Sequence, residues 1–410
     1  MKSWQRLGFF FFLLMSSLRA EEAPQTLMLT WEGDPCRMMV AQWLRGPGLG
    51  ERPEGKNPEK VVWRKSGKKE RKVLTAEVQP FPDPDNKGLP RWSLVKVRWK
   101  RLEPNTEYSF KIGNSPEMKF RTAPEHLQQP ITFTEGGDVN IQESSATILS
   151  MGAKQDPLFI SVGGDLAYGD GHDVTREIAF WQQWNRAARA PDGRLIPFVA
   201  GIGNHEVNGG YVQEGASFAQ MKARAPFFYA LFGGLYQKAE PVALDFGDYL
   251  SMLLMDSGHV LPISSQTGWL KKNLKDRQSV PWVFASWHVP AFPSTRTWND
   301  QKEIIQTREE WLPVLEASQV AGVFNHHDHN LQRVETEGKG GRKITFFGNG
   351  ALGVAAHPQQ CAESRLLAKA FAQSDYVNVV QLRKDGATIR SLGPNGQELD
   401  RTDLAGPGRR

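Results

Sequence analysis

The sequence predicts an α/β domain preceded by a small all-β sandwich. Three observations predict it. Residues from about 24 to 123 form a series of short strand-like runs separated by turn residues. Beyond residue 131, short apolar runs alternate with longer helical patterns, as strands covered by helices do. Several of those later runs end in Asp, Asn or His, as the carboxyl ends of strands in α/β sheets often do where a site gathers.

The chain has 410 residues, enough for two or three domains and a large buried core. Apolar residues make up 40% and no low-complexity block dominates, so a folded chain is expected rather than a disordered one. Lys2 and Arg6 precede a short apolar run over 7–15, and Ser16, Ser17 and Ala20 follow it. That layout is a secretory signal peptide over 1–20 and is too short to span a bilayer comfortably, so a secreted or periplasmic location without a stable membrane anchor is expected. Residues 1–20 hold Lys2, Arg6 and Arg19 and no acid, so removing three charges from +5 leaves +2. So small a charge predicts no nucleic-acid partner. The basic cluster at 65–72 reads as a solvated loop of the front domain. Cys36 and Cys361 fall in different predicted domains, so they either pair or stay free.

The front strands are expected at 27–31, 38–43, 61–63, 72–75 and 92–99. Leu102-Glu103-Pro104-Asn105-Thr106-Glu107-Tyr108 resembles the corner of a fibronectin type III domain, in which the Tyr hydroxyl ties back to the backbone. The resemblance implies a fibronectin type III-like sandwich over 24–124. A polar stretch ending in Pro130 marks a linker at 125–130. In the α/β domain, 131–395, helices are expected at 175–190, 266–275 and 301–317, with Trp181, Trp184, Trp311, Leu312 and Leu315 as core. Residues 376–382 and 387–392 read as a hairpin turned by Asp385-Gly386, and 396–410 as a tail, mobile from residue 400.

Five apolar runs carry the chemistry. The run 131–133 leads to Gly136-Gly137-Asp138, and 158–162 to Gly163-Gly164-Asp165 and Tyr168. The run 196–202 leads to Gly203-Asn204-His205-Glu206. The run 282–285 leads to His288, and 321–324 to His326-His327-Asp328-His329. Five strand ends would gather these oxygen and nitrogen donors around one point. Such mixed donors suit iron, manganese or zinc, and the lack of cysteine argues against a closed structural zinc site.

This ordered set resembles the metallophosphoesterases, whose motifs run G-D-x-G, G-D-x-x-Y, G-N-H-D/E, V-x-x-H and G-H-x-H. The tyrosine in the second motif is similar to that of the purple acid phosphatases. The resemblance implies a four-layer αββα metallophosphoesterase sandwich. It implies that Asp138, Tyr168 and His329 hold a first metal, Fe(III), and that Asp165 bridges. Asn204, His288 and His327 would hold a second metal, Fe, Zn or Mn. The implied reaction is two-metal-dependent hydrolysis of phosphate monoesters by metal-bound hydroxide. His205 would be the catalytic residue that binds or protonates the ester, with Arg296 and Glu206 near the substrate. The chain departs from the family pattern at Asn140 and His326, both usually Gly, and at Ala285, usually Val. Thr297 stands where a further His is frequent. The segment 207–241, with Tyr211, Phe227, Phe228 and Tyr236, is expected to shape the pocket. A phosphodiesterase using the same centre and a secreted binding protein without catalysis are the alternatives. The sequence carries no argument for an oligomer.

Overall fold

The computed structural model describes residues 23–49, 59–86, 91–338, 341–357 and 360–406. The signal-like segment 1–20 lies outside them. Among the described residues, no helix is long and apolar enough to cross a membrane.

Residues 28–121 build two four-stranded antiparallel sheets. The first runs Met28–Thr30, Met38–Arg45, Ser93–Lys100 and Glu77–Pro80 in spatial order. The second runs Lys72–Thr75, Lys60–Lys65, Glu107–Ile112 and Met118–Arg121. Trp99 of the first meets Phe110 and Phe120 of the second at 5.2 and 5.0 Å between ring centroids, so the core lies between the sheets. The Tyr108 hydroxyl accepts the Glu103 N–H at 2.8 Å, the tie that the Leu102–Tyr108 corner predicts. Glu77–Pro80 was not expected as a strand. Its exposed side chains carry no burial pattern, and only edge pairing with Ser93–Lys100 makes it extended.

The front sheets share a core with the rest of the chain. Trp31 meets Phe159 and Phe246 edge-on at 6.1 and 5.5 Å. Thr30 Oγ1 donates to the Phe198 carbonyl at 2.9 Å, and Phe81 stacks on Phe227 at 5.6 Å. The polar connector is held as well: the Glu125 carbonyl accepts from Asp248 N–H at 3.0 Å, and Leu127 is buried.

Beyond it lie two larger sheets face to face. The six-stranded sheet has the order Phe198–Ala200, Ile160–Val162, Ile131–Gly136, Val377–Leu382, Gly386–Leu392 and Glu398–Ala405. The seven-stranded sheet is centred on Leu250–Leu254, Trp282–Trp287 and Gly322–Asn325. Phe133 of one sheet meets Phe284 and Phe324 of the other at 6.0 and 6.4 Å. Helices Glu143–Ala153 and Val174–Ala187 cover the outer face of the first, with Trp184 on Phe198 at 4.5 Å. Helix Ile263–Asp276 and the 302–316 segment cover the second through Leu270, Leu274, Trp311 and Leu315. The result is a mixed α/β, four-layer arrangement.

Two expectations need correction. The tail is not mobile over its whole length: Glu398–Ala405 pairs antiparallel with Gly386–Leu392 and closes the sheet edge. Its alternation of charged with small or apolar residues carries too little hydrophobicity to read as a strand alone. The single helix over 301–317 is three pieces, Lys302–Gln306, a π-helical turn Thr307–Trp311, and Leu312–Glu316. Pro313 lacks the N–H that would close a regular turn, which removes one α-type bond there. Cys36 and Cys361 are both free; Cys36 Sγ donates to the Pro124 carbonyl at 3.2 Å.

Candidate metal centre

Ile131–Gly136, Ile160–Val162 and Phe198–Ala200 are parallel, as are Trp282–Trp287 and Gly322–Asn325. Their carboxyl-terminal loops deliver Asp138, Asp165, Tyr168, Asn204, His288, His327 and His329 to one place. Asp138, Asp165, Tyr168 and His327 all have positive φ, between 55° and 69°. Left-handed backbone costs a non-glycine residue roughly 1–2 kcal/mol, and strain of this kind clusters where function requires a fixed geometry. Gly203 is needed for close approach: a Cβ there would lie 2.3 Å from Asp165 Oδ1.

The seven side chains fall into two adjoining groups. Asp138 Oδ1 lies 3.2 Å from both Tyr168 Oη and His329 Nε2, which are 3.3 Å apart. His288 Nε2 lies 3.1 Å from Asp165 Oδ2, 3.2 Å from Asn204 Oδ1 and 3.2 Å from His327 Nδ1. The groups meet where His288 Nε2 comes within 4.0 Å of Asp138 Oδ1. Donor atoms of Asp165, His288 and His327 all lie within 4.8 Å of one another. Asp138, Asp165, His288 and His327 are all buried.

The electrostatics favour a cation. Burial alone would raise Asp165, but the charge and hydrogen bond of His288 hold it well below the usual carboxylate range. Burial alone would lower His288, yet Asp165 and Asp138 push it up to about 9. The buried carboxylates thus favour a positive charge at His288, and a bound metal would take the place of that proton. Burial and the neighbouring His288 keep His327 well below its ordinary value, hence neutral as a ligand must be. Burial, then Asp138 and Asp165, push the Tyr168 phenol well above its ordinary value. Mixed oxygen and nitrogen donors, buried and convergent, fit a pair of metal ions.

The outer residues differ from expectation in part. His205 is partly exposed, and its ring lies 4.1 Å from that of Tyr168. Its backbone N–H donates to Asp165 Oδ1 at 2.8 Å, and its Nδ1 bonds the Asp170 carboxylate. Asp170 went unread in the sequence, although its place two residues after Tyr168 was a usable signal. Glu206, expected near substrate, is instead buried under the loops. Its carboxylate accepts from the N–H groups of Asp165 (2.8 Å), Gly203 (2.7 Å) and Leu166 (2.8 Å). That leaves it no reach toward a ligand. Arg296 stands beside the cluster, its Nη1 bonded to the Asp328 carboxylate and, at 3.2 Å, to the His327 carbonyl. Nε and Nη2 have no hydrogen-bond partner among the described residues. Thr297 caps a turn through Asp300, its Oγ1 donating at 2.8 Å.

The departures have physical reasons. Asn140 sits at φ 65°, a conformation that Asn tolerates almost as Gly does, and its Oδ1 accepts from Ile141 N–H at 2.8 Å. His326 faces away from the cluster, with Nε2 3.2 Å from Glu135 Oε1. Its ring fills the space left by Gly163, where a Cβ would lie 1.8 Å from Nε2. In the 207–241 segment, Phe227, Phe228 and Tyr236 are packing residues, whereas Tyr211 reaches the site.

Residues 137–331 match the calcineurin-like phosphoesterase family. That stretch is similar to calcineurin-like phosphoesterase domains, and the fold is a mixed α/β metallophosphoesterase fold. The chain's relatives include purple acid phosphatases: probable purple acid phosphatase 20 of Arabidopsis thaliana is 28% identical over 239 residues, 57% of this chain and 53% of the relative. An uncharacterized protein of Mycobacterium tuberculosis is 27% identical over 304 residues, 64% of this chain and 54% of that one. The chain spans about half the length of the curated relatives it matches. Among solved structures, purple acid phosphatase PPD1 from yellow lupin (Lupinus luteus) seeds superposes with a TM-score of 0.73 at 16% identity. The match covers 94% of this chain and 74% of that one. PhoD superposes at 0.65 and 15% identity, over 93% and 89%.

Proposed function

We propose that the protein hydrolyses phosphate monoesters with a dinuclear metal centre. What supports this reading most directly is the division of seven convergent donors into two adjoining groups. Asp138, Tyr168 and His329 would hold the first metal, Asn204, His288 and His327 the second, and Asp165 would bridge. Fe(III) at the Tyr168 site would fit a phenolate and carboxylates, and the second ion would be Fe, Zn or Mn. When bound, the pair supplies Lewis-acid activation of water and neutralises charge on the phosphoryl group.

The side chains do the rest. His205, partly exposed with Nε2 3.9 Å from Asp165 Oδ2, stands beside the cluster, where it can hold a phosphoryl oxygen or protonate the leaving oxygen. Asp170 orients it through Nδ1, so Nε2 carries the exchangeable role. Glu206 keeps the Asp165 and Asn204 loops in register from below. Arg296 offers its uncommitted N–H groups to a substrate oxygen. The front sandwich is read as fibronectin type III-like and the whole as a secreted or periplasmic protein entering by the 1–20 segment.

The test is phosphate release from a generic monoester and from a diester by metal-loaded full chain, beside metal content and a visible spectrum. Faster monoester turnover, two metals per chain, and a visible band lost in Tyr168→Phe are expected. Turnover of the diester alone would move the reading to a phosphodiesterase. Two bound metals without turnover of either ester would favour the binding protein.

A further inference from the structure

We propose that Tyr211 is a positioning residue for the second metal site. Its phenolic oxygen accepts the Nε2 proton of His327 and so fixes the imidazole in the tautomer that ligates through Nδ1. The inference rests on the two-metal reading above.

A neutral imidazole has one protonated nitrogen and one with a lone pair. A ligating His therefore needs an acceptor for its other N–H, and that acceptor sets both tautomer and ring orientation. The two nitrogens of His327 are unambiguous in their surroundings. Nδ1 faces the cluster, 3.2 Å from His288 Nε2. Nε2 faces Tyr211 Oη at 3.5 Å and has no other hydrogen-bond partner among the described residues. His327 is buried, so water is a poor substitute acceptor. For Nδ1 to carry the lone pair, the Nε2 proton must go toward Tyr211.

The loop that brings Tyr211 there is built on the same wall of the site. Gly209 and Gly210 have φ of 88° and 77°, which turn the backbone back toward the cluster. The Gly210 carbonyl accepts from His259 Nδ1 at 2.9 Å, and the Tyr211 ring lies 5.1 Å from that of His259. His259 Nε2 pairs with Ser257 Oγ at 3.2 Å, and Ser257 Oγ accepts the N–H of Val289, the residue after His288, at 2.8 Å. The Asp256 carboxylate accepts from the N–H groups of His259, Val260 and Leu261 at 2.7, 2.8 and 2.7 Å. The Val212 N–H donates to the Gly258 carbonyl at 2.8 Å. One hydrogen-bonded chain thus fixes Tyr211 relative to the backbone that carries His288, the neighbouring ligand.

The experiment compares metal-stripped, full-length wild type with Tyr211→Phe. Tyr229→Phe is the control for losing a tyrosine from the same segment, and His327→Ala the reference for losing the ligand. Zn²⁺ is titrated against a competing chelator after the Tyr168 site is filled with iron. Tyr211→Phe should weaken the second equivalent roughly ten- to a hundredfold, with the visible band and the Tyr229→Phe affinity unchanged. The ¹⁵N shifts of His327 in the metal-free protein should show Nε2–H in wild type and a tautomer mixture in Tyr211→Phe. Wild-type affinity for the second equivalent in Tyr211→Phe, even with a raised KM, overturns the proposal. So does an Nδ1–H tautomer in wild type, which can be read whether or not the variant folds. Failure of wild type to take up a second metal would instead defeat the two-metal reading itself.

Discussion

Removing the Glu206 carboxylate should loosen the site from beneath without touching a substrate. One oxygen accepts from Asp165 and Gly203, the other from Leu166. In Glu206→Gln the best orientation keeps the amide oxygen toward Asp165 and Gly203 and turns the NH₂ toward the Leu166 N–H. One buried donor is then orphaned, at a cost of about 1–3 kcal/mol. Glu206→Ala orphans all three, roughly 3–6 kcal/mol if the losses add only in part. The same N–H groups position Asp165 and Asn204, so metal affinity should fall with stability. The assay is urea unfolding of the metal-free full chain, paired with metal titration and steady-state kinetics. A fall in the urea midpoint, larger for Ala than for Gln, is expected, with kcat reduced and no separate rise in KM. An unchanged midpoint with KM alone raised would refute the bracing role and return Glu206 to the substrate.

Three further outcomes follow from the structure. Asp170→Asn should lower kcat for an alkyl phosphate roughly ten- to a hundredfold and for an aryl ester with a good leaving group much less; equal losses on both esters would show that Asp170 does not act through His205. Glu177 is buried beneath the Tyr168 loop, and burial, then Glu206, push it up to about 8 from an ordinary 4.5. The folded state therefore keeps a proton that the unfolded chain releases, and stability falls as pH rises from about 4.5 to about 8. Glu177→Gln should gain on wild type by up to about 1.4 kcal/mol per pH unit across that window, and a pH-independent difference in urea midpoint would contradict this. Phe81, fully buried against Phe227, ties the front sheets to the 207–241 segment. Phe81→Ala should cost about 3–5 kcal/mol and weaken metal binding as well; calorimetry showing the front sheets melting alone, with metal affinity intact, would refute that coupling.

Much of the molecule was legible in the residues. The strand runs, the helices at 174–187 and 263–276, the Tyr108 corner and the Asp385-Gly386 hairpin could all be read locally. The seven donors were legible too, because each sits within a few residues of an apolar run that declares its own strand. A strand that ends in a ligand-type residue is a local instruction, and five of them in order point to one site before any distance is known.

Other features depended on partners distant in the chain. Glu398–Ala405 is a strand only because Gly386–Leu392 offers an open edge. Glu206 looked available for substrate until burial placed three N–H groups around its carboxylate, two of them from a loop some forty residues earlier. Asp170, Tyr211 and Arg296 likewise take their roles from which side chain they meet. Sequence alone determined which donors are present and on which strands they ride. The tertiary structure decided which carboxylates are buried, paired or open, because desolvation and hydrogen-bond partners arise only when separate segments pack together.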